Sequence, residues 1–81
     1  MNDNQLFLLK HIDSSYRSLN SFLRHLSNQY EKPLSTLKRN AKILKELNLI
    51  NYGDKNMPSP VELTTDGEIV LWILDQINSK E

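Results

Sequence analysis

"PLSTLKRNAKILKELNLINYG" occupies positions 33–53 and decides how the chain folds. Lys38, Arg39, Lys42 and Lys45 stand within eight residues of one another there. At about 100° per residue along a helix, Leu34, Leu37, Ala41, Leu44 and Leu47 share one arc of about 140°, wide enough to face a core. Lys38, Lys42, Lys45, Ser35 and Arg39 share a separate arc of about 120°, with Glu46 the only acid among them. The cations hold a common face. It is either a solvated exterior or a surface that meets a polyanion.

The ends of this segment read as helix boundaries. Pro33 lies near the first turn, where its missing N–H costs nothing. The helix should run to about Leu47, with Asn48 in the left-handed position that often follows a helix. Upstream, "DNQLFLLKHI" reads as a helix with Asp3 as its cap and Leu6, Leu9 and Ile12, with Leu8 beside them, on one face. "LNSFLRHLSNQY" is a second helix, capped by Ser18, that brings Leu19, Phe22, Leu23 and Leu26 to one side. "EKP" ends it, because the residue before a proline is pushed out of the helical region.

Downstream, "LINY" and "PVELT" are short strand-like runs around "GDKNMPS", whose Gly, Asp, Asn and Pro mark a hairpin loop. "TTDGEIVLWILDQINSK" reads as a fourth helix starting near Thr65 or Asp66. The expected class is mainly α with a small β-hairpin, in the order α, α, α, β, loop, β, α. At 81 residues this is expected to be one domain, 1–81, with one core.

Bulk composition narrows the function. The chain is 38% hydrophobic and 25% charged, which excludes collagen-like and disordered classes. No apolar run approaches a membrane span and the start lacks a basic signal-peptide region, so no membrane role or leader is expected. The absence of cysteine suits a reducing cytoplasm. Ten basic and ten acidic residues cancel, but unevenly. Residues 1–30 carry three cations and two acids, 31–52 five and two, and 53–81 two and six, giving +1, +3 and −4. Local fields of this kind steer ligands more than the net charge does. His11 and His25 have no acidic or cysteine company at metal-ligand spacing, and no catalytic constellation or phosphate loop is discernible. No enzyme activity, metal or cofactor is expected.

Three pieces in order now define a resemblance: Thr36-Leu37-Lys38-Arg39, then Leu44-Lys45-Glu46-Leu47-Asn48-Leu49-Ile50, then Leu63-Thr64-Thr65-Asp66-Gly67. Over about residues 17–70 the chain resembles the winged helix-turn-helix of MarR-type and ArsR-type transcriptional regulators and their small archaeal relatives. It departs from them at Asn48, where they prefer Gly, and in a loop whose only cation is Lys55, next to Asp54. The resemblance implies that helix 33–47 enters the major groove of double-stranded DNA with its N-terminal half toward the bases. Ser35, Thr36, Lys38 and Arg39 then face base edges, with Asn40 at the margin. Arg39 suits guanine and Asn40 adenine. Lys42 and Lys45 fall to phosphates, with Lys32, Lys55, Arg17, Arg24 and Tyr52 as flanking candidates.

The last helix holds more apolar surface than one core-facing stripe needs. Ile69, Val70, Leu71, Ile73, Leu74 and Ile77 span about 200°, and Trp72 points elsewhere. Phe7 likewise falls on the polar side of the first helix. MarR-type proteins pair through terminal helices. A homodimer through helices at about 3–12 and 65–79 is therefore expected, using Phe7, Val70, Leu71, Trp72, Leu74 and Ile77. The alternative is that these helices pack on each other and close a monomer. The expected function is a cytoplasmic, nucleoid-associated DNA-binding regulator. Its rivals are a winged-helix protein-interaction module and an architectural DNA binder without sequence preference. The sequence names no small-molecule effector.

Overall fold

The computed structural model describes residues 1–78, with the side chain of Asn78 excluded. The chain is mainly helical with one small antiparallel sheet. Helices α1 (Asp3–His11), α2 (Leu19–Tyr30) and α3 (Leu34–Glu46) precede strands β1 (Ile50–Asn51) and β2 (Glu62–Leu63), and α4 (Thr65–Asn78) follows. The expected final residue of the last helix, 79, lies outside the described residues.

Caps set the boundaries. Asn2, not Asp3, starts α1: its Oδ1 accepts the Gln5 N–H at 2.8 Å, and Gln5 Oε1 accepts the Asn2 N–H at 3.2 Å. This reciprocal box needs a side-chain hydrogen-bond acceptor three residues after the cap. Asn2 has Gln5 there, whereas Asp3 has Leu6. Ser18 caps α2 as expected, its Oγ accepting from Ser21 N at 3.2 Å. Before Pro33 the chain leaves the helix through Glu31, which is left-handed at φ 53°.

The end of α3 is closed by two backbone bonds. Leu49 N–H reaches the Leu44 carbonyl at 3.0 Å and Asn48 N–H reaches that of Lys45 at 2.9 Å, with Asn48 left-handed at φ 62°. That pair of bonds defines a Schellman stop. It also corrects the expected apolar stripe, because the helix has already ended at Leu47. That side chain stands 55% exposed, outside the core.

The core joins Leu8 and Leu9 of α1, Phe22, Leu23 and Leu26 of α2, Leu37, Ala41 and Leu44 of α3, and Leu49, Ile50 and Val61 around the hairpin. In α1 the buried face centres on Gln5, Leu8 and Leu9, while Leu6 and Ile12 are half-buried. The hairpin pairs Ile50 with Leu63 and Asn51 with Glu62. Such a ladder is marginal on its own. Burial of Ile50 and Val61, worth about 1.5–3 kcal/mol each, holds the hairpin against the helices.

Thr64 joins hairpin to α4. Its Oγ1 accepts from Gly67 N at 3.0 Å and donates to the Asn48 carbonyl at 2.6 Å, while its N–H reaches the Leu49 carbonyl at 3.1 Å. The Leu-Thr-x-x-Gly segment is thus a helix cap bonded to the residues that close α3. No helix among the described residues is long and apolar enough to cross a membrane.

Candidate nucleic-acid interface

The start of α2, the outer face of α3 and the hairpin loop enclose an open groove of about 670 Å³. Arg17 and the N-cap Ser18 enter it from the turn before α2, Lys38 and Lys42 from α3, and Tyr52, Gly53, Asp54 and Lys55 from the hairpin. Four cations therefore line the groove against one carboxylate. The first turn of α2 opens into it as well, and a helix N-terminus carries partial positive charge. The chemistry suits a phosphate backbone or another extended anion.

Lys38, Arg39 and Lys42 are exposed, and none of their side chains hydrogen-bonds or ion-pairs with a described residue. Their charges are not spent inside the fold. Arg39 lies outside the groove lining on the same side of α3 as the exposed Ser35. Lys55 joins the groove from the loop, where Asp54 Oδ1 accepts from the N–H groups of Asn56 and Met57 at 2.9 and 2.8 Å.

Lys45 and Lys32 behave differently. Lys45 Nζ donates to the Tyr52 carbonyl at 2.8 Å and sits 4.2 Å from the centre of its ring. It ties the end of α3 to the hairpin. Tyr52 is half-buried by that packing, which raises its hydroxyl pKa, with the Glu46 carboxylate adding to the rise. Lys32 Nζ lies 4.7 Å from the Phe7 ring centre and 3.5 Å from Asn4 Oδ1, so it is turned toward α1 and away from the groove.

Asn40 does not belong to an outward face. It is 5% exposed, accepts from Asn2 Nδ2 and Gln5 Nε2 at 3.1 and 3.2 Å, and donates to the Thr36 carbonyl at 2.8 Å. A side chain so buried and held toward α1 does not reach a groove floor, and the expected base contact is withdrawn. Thr36 is half-buried on the same flank. The histidines are absorbed by ring packing. His11 stacks 4.3 Å from Phe7, its Nδ1 donating to the Phe7 carbonyl at 2.8 Å, and His25 lies 5.3 Å from Tyr16. Among the described residues no three His, Cys, Asp or Glu side chains cluster as a metal site.

No family model, curated protein or solved structure matches the chain.

The second expected surface also shifts. Phe7 is half-buried, with its ring centre 5.1 Å from that of Tyr30 and Lys32 above it, so contacts within the chain already cover it. Val70, Leu71 and Leu74 are half-buried on the side of α4 that carries buried Gly67. They are withdrawn from the interface set. The face that remains open holds Trp72 at 63% exposure and Ile77 at 60%, joined by Ile69 and Ile73 beyond the expected set. On the helical wheel these four share an arc of about 140°. Their spacing was the available signal: 69, 73 and 77 repeat every four residues, with 72 beside them.

Proposed function

We propose that the chain is a winged helix-turn-helix DNA-binding domain that regulates transcription, with α3 as its recognition helix and the hairpin as its wing. The observation that carries this reading is the groove in which Arg17, Lys38, Lys42 and Lys55 converge from the turn before α2, α3 and the hairpin loop, while the side chains of Lys38, Arg39 and Lys42 lack partners among the described residues. Lys38, Arg39 and Ser35 approach base edges in the major groove. Lys42, Arg17 and Lys55 take phosphates.

A salt titration tests it. Three phosphate contacts per protomer, six in a dimer, give a slope of about −5 for log affinity against log salt concentration. An affinity that ignores salt, or no retention of duplex at low salt, ends the proposal. Unrelated duplexes bound equally well would mark an architectural binder instead.

Self-association through the outer face of α4 is part of the same proposal, with the partner a second copy of the chain. α1 and α4 do touch, yet Ile69, Trp72, Ile73 and Ile77 remain open to solvent. A homodimer would present two recognition helices about one DNA turn, roughly 34 Å, apart. Light scattering should give about 19 kDa, twice the chain's 9.5 kDa. Ile69→Glu with Ile73→Glu should return it to a monomer with unchanged helix content and weaker duplex binding. A wild-type mass of one chain at all concentrations removes the dimer, and the open face then favours a protein-interaction role.

A further inference from the structure

Gln5 and Asn40, 7% and 5% exposed, are the buried polar side chains among the described residues, and they are bonded to each other. Asn40 Oδ1 also accepts from Asn2, whose own Oδ1 caps the Gln5 N–H. Three side chains therefore form a closed polar cluster between the start of α1 and the middle of α3. Around it, the buried side chains of the two helices are Leu8, Leu9, Leu37, Ala41 and Leu44.

These two kinds of contact constrain α3 differently. Apolar burial is non-directional, so a leucine surface tolerates small rotations of its partner. An amide hydrogen bond does not. A roll of α3 by about 20° moves an atom about 5 Å from its axis by nearly 2 Å, more than a bond of about 2.7–3.2 Å survives. The same roll displaces the longer Lys38 and Arg39 side chains further. We infer that Asn40, through Gln5 and Asn2, sets the rotation of α3 about its own axis and thereby aims the Lys38, Arg39 and Lys42 face. Asn40 is a positioning residue. The functional consequence rests on the DNA-binding reading above; the structural one does not.

The test replaces both buried amides by apolar side chains of similar size, Gln5→Met with Asn40→Leu, which leaves no buried group unpaired. The thermal midpoint should stay within about 5 °C of wild type, or rise. Backbone amide signals of residues 34–46 should double or broaden. A duplex enriched by the wild type from a random pool should lose its preference over a scrambled duplex by on the order of tenfold, about one aligned base contact, with the salt slope retained. A milder variant, Asn2→Ser, keeps a capping oxygen but cannot reach Asn40. It should cost roughly threefold in preference, as one hydrogen bond would. Sharp, wild-type α3 signals in the double variant overturn the inference. Should that variant fail to fold, unchanged α3 signals and preference in Asn2→Ser overturn it. If wild type enriches no duplex, the proposed function falls and the spectra alone decide the inference.

Discussion

Replacing Lys38, Arg39 and Lys42 together by alanine is expected to cut duplex affinity by on the order of 10³-fold per protomer near 0.1 M salt. The magnitude follows from counting. Each charged hydrogen bond lost to a phosphate or base removes about 1.5 kcal/mol, and three remove about 4.5 kcal/mol. The slope of log affinity against log salt should also become shallower, by about 0.9 for each lost phosphate contact.

The fold should not notice. All three side chains are exposed and without partners among the described residues, so no internal bond is cut. Alanine is the best helix former, which offsets the small packing loss of the stems. Titration of the triple variant against duplex DNA, with circular dichroism on the same sample, checks both halves. Wild-type affinity with an intact fold would show that the face has been misassigned. Lys45→Ala serves as a contrast. That ammonium is already engaged with Tyr52, so its loss should loosen the hairpin more than it removes a DNA contact.

How legible this was depends on what each residue needs. Helix limits and the Asn48 turn were readable because they depend on neighbours within four positions: a cap, a proline, a left-handed residue. The burial of Asn40 was readable in principle. At about 100° per residue it lies between Leu47 and Leu44 on the wheel, inside the core arc. Its residue type pointed outward and its geometry inward, and a polar partner on α1 let geometry win. Leu47 erred the other way, because the stop came one residue sooner than the stripe. The groove was not readable as a unit. Arg17, Lys42 and Lys55 are distant in sequence and meet only because Leu49, Ile50 and Val61 dock the hairpin on the helices.

That docking has a vulnerable point at the start of α4, and Gly67→Ala is expected to expose it. A Cβ at Gly67 would overlap the Leu49 carbonyl oxygen and stand 3.0 Å from its carbon and 3.2 Å from Leu63 Cδ2. The leucine methyl can move, but the carbonyl cannot do so freely. It accepts the Thr64 N–H and belongs to the residue whose own N–H closes α3. Relief therefore requires α4 to move away from the hairpin base. Two effects compete. Alanine gains up to about 1 kcal/mol over glycine inside a helix, while overpacking against fixed atoms costs about 1–3 kcal/mol and sometimes more. Near a helix start the gain is reduced, because the residue is only half committed to helical bonds. The net effect should be a loss of about 1–2 kcal/mol, which for a chain this size lowers the thermal midpoint by roughly 5–15 °C. Gly53→Ala should cost less. Its overlaps fall on Met57, Pro58 and Ser59 in the exposed loop, whose backbone can shift without disturbing the core. Thermal melts of the two variants side by side make the comparison. An unchanged or raised midpoint for Gly67→Ala would mean that α4 is not wedged against Leu49. The Thr64 bonds to Asn48 and Leu49 would then tie the hairpin base to α4 without close packing at Gly67.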